Sequence, residues 1–389
     1  MTTRTLTRTA AIALIAAFAL TAAGPATAAD PIKIGAALSL TGRFSDSAKY
    51  VQEGYALWAQ EVNAHGGING RQVQLITYDD ESNPDTAAVL MERLISRDGV
   101  IAILGPYSSP ITDAAATVVE RAGVPMLATI ASDTSIWDRR KLHWTAQAFP
   151  SSTYDHEGIL KVIAAKGKAI KHLAIVYEES PFSIAGKNWA MDEAKKLGIS
   201  AEAIGYAPGL QDFSSIVERI IASKADAVSM GGYYQPSIVL TRKMIERGFN
   251  PVAYHFIQAA DGVTKTALGA NANGIFGRSA WEASFTDPAS KAFSTLYRAK
   301  YGRVPSYHSA AAYAAGQVLE AAIKAKGPDK NGIRDFIEST TMHTVLGTYK
   351  VNSKLQQEGY RYTLTQWQNG ESKVIRDPAQ ALWPKPAWK

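Results

Sequence analysis

The stretch ILGPYSSPIT, residues 103–112, places the end of a strand directly before the start of a helix. The apolar run 100–104 predicts a buried strand, and Gly105-Pro106 ends it. Ser109 is the predicted N-cap of the helix, with Pro110 at its first position. A helix N-terminus offers unpaired backbone N–H groups and binds anions such as carboxylates. Because no general base or metal ligand stands nearby, we interpret the stretch as a holding site, an ordinary capped helix being the alternative.

The N-terminus predicts export from the cytoplasm. Arg4 and Arg8 precede a short apolar run over residues 10–20, and an Ala26-Thr27-Ala28 cleavage pattern follows. This order is typical of a secretory signal peptide over residues 1–29, cleaved near Ala28 or Ala29. The chain contains no cysteine, which excludes disulfides, thiolate metal sites and N-terminal lipidation. We therefore expect a protein of the bacterial periplasm.

Charge and length restrict the class of protein further. The formal net charge of +6 falls to +4 when Arg4 and Arg8 leave with the signal peptide. The basic residues are interspersed with acids, so a nucleic-acid partner is not expected. The mature length of roughly 360 residues exceeds one usual hydrophobic core, and two domains are the default expectation.

Strands and amphipathic helices alternate along the mature chain. Examples are a strand over residues 31–38, a helix over 47–64 and a strand over 73–78, with an interruption at 142–152 before the alternation resumes. This pattern predicts an α/β protein with two doubly wound, parallel-sheet lobes. In such sheets ligands bind at the carboxyl ends of the strands, where the loops of two facing lobes would line a cleft.

These loops resemble those of the type I periplasmic solute-binding proteins of the branched-chain amino-acid (Leu/Ile/Val) class. The matching stretches are IKIGAALSLTG from Ile32, NAHGGINGRQVQLITYDDESNP from Asn63, ILGPYSSPIT from Ile103, AGVPML from Ala122 and GGYYQPS from Gly231. The resemblance implies two lobes joined by a three-strand hinge that close on a ligand. It divides the chain into residues 30–149 with 282–352 (lobe 1) and residues 150–281 with 353–389 (lobe 2).

The resemblance also implies a set of ligand-binding positions. From lobe 1, Ser109 with its neighbour Ser108 would hold the ligand carboxylate, and Ala131 and Ser132 would add contacts from the next loop. From lobe 2, Tyr233 would line the pocket and Phe182 would cover the ligand side chain. Ser47 stands where some relatives place an aromatic residue, so Phe44 is the alternative wall. The candidate site residues are therefore Phe44, Ser47, Ser108, Ser109, Ala131, Ser132, Phe182, Tyr233, Gln258 and Asp261.

The sequence leaves the ammonium site open. Amino-acid binders of this class place an acidic residue after the strand that matches residues 252–257, where it pairs with the ligand α-ammonium. Here the loop HFIQAADGV is about four residues longer, and either Asp261 or Gln258 could occupy that place. Asp261 in the cleft would favour an amino acid, whereas Gln258 would favour a neutral amide or an aromatic or aliphatic carboxylate.

The other histidines, motifs and aromatic residues give no indication of a metal or catalytic site. The seven histidines show no close pairing at metal-ligand spacing, and no nucleophile elbow or phosphate loop is present. Trp281 is predicted as pocket wall or hinge packing, and Tyr307 and His308 as core.

We therefore predict a non-enzymatic, monomeric solute-binding protein without cofactor or metal. It would deliver an amino acid or small carboxylate to the permease subunits of an ABC importer, a sensor module being the alternative.

Overall fold

The computed structural model describes residues 30–167 and 170–389, so the predicted signal peptide lies outside the described residues. The strands are β1 (Ile32–Leu38), β2 (Val73–Asp79), β3 (Ala102–Leu104), β4 (Met126–Ala128), β5 (Thr145–Gln147), β6 (Leu173–Glu178), β7 (Ala201–Tyr206), β8 (Ala227–Gly231), β9 (Ala253–Phe256), β10 (Phe276–Ser279), β11 (Met342–Thr344), β12 (Gly347–Tyr349), β13 (Thr363–Gln368) and β14 (Glu371–Val374). The α-helices are α1 (Ser45–Ala64), α2 (Pro84–Ser96), α3 (Ser109–Ala122), α4 (Ser135–Arg139), α5 (Glu157–Ala165), α6 (Pro181–Lys196), α7 (Ser214–Ala222), α8 (Tyr234–Glu246), α9 (Val263–Leu268), α10 (Pro288–Tyr301), α11 (Tyr307–Lys326) and α12 (Lys330–Ser339).

Two large sheets carry the fold, and each belongs to one lobe. The first has the order β2-β1-β3-β4-β5 and is parallel throughout. Alternate residues of β1 face opposite helix layers, because successive side chains of a strand point to opposite faces. Ile34 and Ala36 pack in the core that contains α1 and α11, whereas Ala37 packs with the side chains of α2 and α3. This sheet therefore has helices on both faces, as the alternating pattern predicts.

The second sheet has the order β14-β13-β10-β9-β8-β6-β7. Strands β6 to β10 are mutually parallel, whereas β13 pairs antiparallel with both β10 and β14. The α/β fold class is thus confirmed, with an antiparallel edge added to the second sheet. Four short strands were missed by periodicity: β5, which lies within the interruption at 142–152, and β11 have three residues each, and β10 and β14 have four. Such lengths are too short for a recognisable pattern.

The chain passes between the two sheets three times, after β5, after β10 and before β13. Between the second and third passages α10 and α11 pack on the first lobe. The close approach of α1 and α11 needs glycine, since a Cβ on Gly54 would lie 2.3 Å from the carbonyl oxygen of Ser309 and one on Gly316 would lie 2.4 Å from the ring of Trp58. The exact lobe bounds predicted from the sequence stay a prediction. In the described ranges we find no helix with the length and apolarity needed to cross a membrane.

Candidate ligand-binding cavity

The start of α3 differs from the predicted cap in one respect. The N-cap is Ser108, and Ser109 is the first helical residue, followed by Pro110. Ser108 has φ 85° and ψ 148°, a conformation that costs a non-glycine residue of order 1–3 kcal/mol and that clusters at ligand sites. The backbone at Ser108 therefore does not direct its hydroxyl to the helix, and within the described chain the Ser108 Oγ is buried without a hydrogen-bond partner. The prediction of Ser109 as a capping residue is wrong, because its Oγ instead accepts from the Asp133 N–H at 3.2 Å.

The loop after β4 lies beside this helix start. Ile130 and Ser132, two residues apart in this loop, line the cavity described below. Ala131 contributes differently, because its carbonyl oxygen accepts a hydrogen bond from the Gln147 side chain at 2.9 Å and its side chain is fully buried. The structure thus brings Ser132 to the cavity with Ser108 and Ser109, and places Ala131 behind them.

A small cavity lies between the carboxyl ends of the two sheets. Its walls come from both lobes, and half of them are aromatic or imidazole rings. The lining residues are Tyr107, Ser108, Ser109, Ile130, Ser132, Phe149, Phe182, Tyr233, Gln258, Arg278, Tyr307 and His308. All twelve belong to the described part of the chain, and none is acidic. The chemistry of the lining suits a small, partly apolar ligand that accepts hydrogen bonds.

Second-lobe aromatic residues close one side of the cavity. Phe182 is the second residue of α6 and Tyr233 is the N-cap of α8, and their ring centroids lie 5.2 Å apart. Phe44, from the loop after β1, packs on Tyr233 with a centroid distance of 4.6 Å. Phe44 therefore covers the cavity from outside, while Ser47 reaches toward Gln258, its Oγ 3.4 Å from Gln258 Oε1.

Gln258 and Asp261 face different partners. The Gln258 side chain lines the cavity, and its Nε2 donates to the Tyr107 hydroxyl at 3.2 Å. Asp261 is absent from the lining of this described cavity, and its carboxylate is held by first-lobe residues instead. It lies 3.0 Å from His308 Nδ1 and accepts a hydrogen bond from the Ser306 hydroxyl. The structure therefore brings the Gln258 amide, and not the Asp261 carboxylate, to the lining of this cavity.

Arg278, at the end of β10, is a cavity residue that the sequence analysis missed. Its side chain is 6% exposed, and its Nε lies 2.5 Å from an oxygen of Asp155. Its guanidinium carbon lies 3.9 Å from the ring centroid of Tyr362. Burial disfavours the charge, but Asp155 more than offsets this effect and keeps the pKa of Arg278 above its ordinary value. Burial raises the pKa of Asp155 to about 6, although Arg278 opposes the rise, so this carboxyl is ionised at pH 7.

Four buried polar atoms of the cavity lining make no hydrogen bond to any described residue. They are Ser108 Oγ, Tyr233 Oη, Tyr307 Oη and Arg278 Nη1. Each buried polar atom without a partner destabilises the folded protein by about 1–3 kcal/mol. A polar ligand that hydrogen-bonds to these atoms would remove this cost. Burial also raises the pKa of both tyrosines well above the ordinary value, so their hydroxyls are neutral.

The two lobes touch each other across the cavity. Arg43 of the first lobe reaches both carboxylate oxygens of Glu178, at the end of β6, at 3.0 and 3.1 Å. Together with the Asp261–His308 and Gln258–Tyr107 contacts, this pair joins the strand-end loops of both sheets. The structure therefore represents the closed arrangement of the lobes.

The structure also refines the minor predictions. Tyr307 and His308, predicted as core, are buried as expected but also line the cavity. Trp281 is hinge packing, with its indole N–H donating to the Ser290 hydroxyl at 2.9 Å. Among residues 30–167 and 170–389 no group of three potential metal ligands comes together. The missed lining residues share one signal, since Tyr107, Phe149 and Arg278 lie at or just after the ends of strands β3, β5 and β10.

The fold and the inter-lobe cavity define a two-lobed solute-binding protein, and comparisons with known proteins agree. A family model described as periplasmic binding protein matches residues 31–372. A Leu/Ile/Val-binding protein homologue of Brucella suis is 29% identical over 372 residues, covering 90% of this chain and 92% of its own. The chain therefore belongs to the periplasmic binding protein family, and the resemblance predicted from the loops is confirmed.

Solved structures with the same fold carry different ligands. The branched-chain amino-acid binding protein LivJ of Streptococcus pneumoniae, in complex with isoleucine, superposes with a TM-score of 0.79 at 21% identity, covering 89% of this chain and 99% of its own. A solute-binding protein of an R. palustris ABC transporter, in complex with benzoate, has a TM-score of 0.78 at 18% identity, covering 92% and 98%. At these identities the likeness establishes the fold alone.

Proposed function

We propose that this protein is the periplasmic solute-binding component of an ABC importer and that its ligand is a small aromatic carboxylate without an α-ammonium group. One observation carries the proposal: the cavity presents the Gln258 amide where an amino-acid binder needs an acid, and Asp261 is occupied by His308 and Ser306. A ligand ammonium placed here would be buried without a counter-charge, which costs several kcal/mol.

The lining of the first lobe supports a carboxylate. Ser108, Ser109 and Ser132 surround the N-terminus of α3, whose dipole and N–H groups favour negative charge. Since the Ser108 hydroxyl has no partner in the described chain, it is free to donate to a ligand oxygen. Ser108, Ser109 and Ser132 therefore form the proposed carboxylate site.

The ring-lined walls support an aromatic body for the ligand. Phe149, Phe182 and Tyr307 line the cavity together with Tyr107 and Tyr233. Flat ligands gain from stacked and edge-on contacts with such rings, about 0.5–1.5 kcal/mol for each pair beyond burial. Benzoate and 3,4-dihydroxybenzoic acid occupy two structures of similar fold, and a ligand of that kind suits this lining.

The transport role rests on the family and on the predicted signal peptide. A ligand that touches both lobes stabilises the closed state, and the permease subunits of an importer would recognise that state. We place the mature protein in the periplasm as a monomer that binds its ligand without catalysis.

A thermal-shift panel tests the proposal. The panel contains benzoate and 3-phenylpropanoate, leucine, isoleucine and phenylalanine, and benzamide. At 100 times its dissociation constant a ligand raises the free energy of unfolding by about 2.7 kcal/mol. We expect stabilisation by an aromatic acid and none by the amino acids. Stabilisation by leucine or isoleucine alone would overturn the ligand class and leave the transport role intact.

A further inference from the structure

Arg278 has a buried N–H group without an acceptor among the residues described, and a site that binds only a carboxylate at the start of α3 would not need it. Of the three guanidinium nitrogens, Nε is taken by Asp155, whereas Nη1 is buried with no acceptor among the residues described. Nη1 lies on the other edge of the guanidinium plane from Nε, so Asp155 cannot serve both atoms. The chain has thus buried a charged donor beside the ligand cavity and left one of its N–H groups without a protein acceptor.

The position of this donor is fixed by the three chain segments that connect the lobes. Arg278 lies two residues before Ala280, where the chain leaves the second sheet after β10. Asp155 follows the first passage between the sheets, and Tyr362, stacked on the guanidinium, precedes β13 at the third. Such support holds a binding group in a defined geometry before the ligand arrives.

The charge around Arg278 indicates which kind of ligand group can accept its hydrogen bond. Its positive charge is already compensated by Asp155 at 2.5 Å, so a second carboxylate at Nη1 would add uncompensated negative charge in a buried site. A neutral oxygen, such as a phenolic hydroxyl, accepts the N–H without that cost. The guanidinium also borders a surface cleft with Tyr154 and Lys161 and forms the wall between that cleft and the cavity.

We infer that Arg278 binds an oxygen substituent on the ring of the ligand, so that the preferred ligands are hydroxylated aromatic carboxylates. This inference rests on the proposed function and narrows it. The carboxylate lies at the start of α3 in the first lobe, and the ring hydroxyl accepts from Arg278 Nη1 in the second. A ligand with both groups therefore bridges the lobes through two polar contacts, whereas benzoate makes only one.

Calorimetric titration of two matched ligand pairs tests the inference on the wild-type protein. The pairs are 4-hydroxybenzoate with 4-methylbenzoate, and 3-hydroxybenzoate with 3-methylbenzoate, because hydroxyl and methyl groups have similar size. We expect at least one hydroxybenzoate to bind tenfold to a hundredfold tighter than its methyl partner, the usual range for a hydrogen bond to a charged group. No preference in either pair would overturn the inference.

The variant Arg278→Lys tests the residue itself. Lysine keeps the positive charge next to Asp155 but lacks the second nitrogen of the guanidinium fork. We expect the hydroxyl preference, the ratio of the two dissociation constants within each matched pair, to fall below threefold, whatever the change in overall affinity. A preference that persists in a folded variant would assign the oxygen to Tyr233 or Tyr307 and overturn the role of Arg278. If the variant does not fold, the wild-type pairs still decide. Binding of none of these acids to the wild type would instead refute the proposed function.

Discussion

Gln258 and Asp261 lie three residues apart on one loop, and their partners decide what the cavity can hold. The Ser306 hydroxyl and His308 Nδ1 both contact the Asp261 carboxylate, so this acid is used for contact between the lobes. Gln258 is left at the cavity with Tyr107. An amide in this place can accept or donate a hydrogen bond but supplies no charge, which is the physical basis of the proposed preference for ligands without ammonium.

A second group of residues behind the cavity gives the protein a pH-dependent stability. The Ser229 hydroxyl lies 2.7 Å from His156 Nδ1 and 2.8 Å from His255 Nδ1, all deep in the second lobe. Burial lowers the pKa of His156 to about 4 and the pKa of His255 well below its ordinary value. Both histidines are therefore neutral in the folded protein at pH 7.

The variant His156→Gln should remove part of this pH dependence. The unfolded His156 takes up its proton near pH 6.5 and the folded one only near pH 4, so the folded state loses stability as the pH falls between these values. We expect the wild type to lose about 3 kcal/mol relative to the variant over this window, at 1.36 kcal/mol per unit. Urea unfolding at pH 7 and pH 4 measures the difference. His143→Gln, at an exposed position, serves as the control. If wild type and His156→Gln lost the same free energy of unfolding between pH 7 and pH 4, the expectation would be contradicted.

Sequence reasoning could predict the loops of the site but not all of its side chains. Ser109, Ser132 and Tyr233 follow strand ends that periodicity and motif spacing reveal. The partner of Arg278 could not be predicted, because Asp155 is 123 residues away and precedes a helix of the same lobe. Likewise, only the position of His308 at the start of α11 shows which of Gln258 and Asp261 is free to meet a ligand.

At the scale of the elements, the carboxylate site depends on how closely β3, β4 and the start of α3 approach each other. Gly105 ends β3, and its carbonyl oxygen accepts from the Tyr55 hydroxyl at 2.8 Å. A Cβ at this position would lie 2.6 Å from the carbonyl oxygen of Leu127. The motif Gly105-Pro106 therefore does more than end a strand, since it allows two strand ends to bring their loops together.

We accordingly expect Gly105→Ala to damage both stability and binding. The added methyl group must push β3 from β4, and overpacking of this kind costs about 1–3 kcal/mol. Chemical unfolding measures that loss, and titration with the best aromatic acid measures the loss of affinity. Gly262→Ala is the matched control, because a Cβ there meets no described atom within 4 Å and its φ is −57°. Equal stability of the two variants would show that the loop does not need this glycine.

The fold of each lobe was predictable because largely apolar runs mark strands such as the seven-residue β1 and the six-residue β6, and amphipathic helices alternate with them. The antiparallel edge of the second sheet was not, since β13 and β14 follow three helices and a hairpin of the other lobe. Their return to the second sheet depends on contacts with β10 that are more than 80 residues distant in sequence. Local patterns carry no information about such a return.

At the scale of the whole molecule, closure is stabilised by polar contacts around the rim of the cavity as well as by the ligand. Arg43 makes two hydrogen bonds to Glu178, a residue with a side chain only 2% exposed. Burial raises the pKa of Glu178, an effect that Arg43 partly offsets. Because this pair joins the two lobes, it contributes to the closed state and thereby to ligand affinity.

The variant Glu178→Gln should weaken binding without unfolding the protein. Arg43 is about one-third exposed and remains hydrated in the variant, so we expect a loss of only about 1 kcal/mol, a factor of about five in the dissociation constant. Titration calorimetry measures it. Glu218→Gln is the matched control, since Glu218 pairs with Arg247 within the second lobe. A similar effect of both variants would mean that the Arg43–Glu178 pair has no special role in closure.

The central claim is that the cavity selects a carboxylate and rejects an ammonium group. The most direct measurement is calorimetric titration with 3-phenylpropanoate and phenylalanine, which share one carbon skeleton and differ only in the α-ammonium group, with benzoate as the smaller reference. We expect that benzoate or 3-phenylpropanoate binds and that phenylalanine does not bind at the same concentrations. Tighter binding of phenylalanine than of its deaminated partner would contradict it, because Gln258 then could not be the group that faces the ligand.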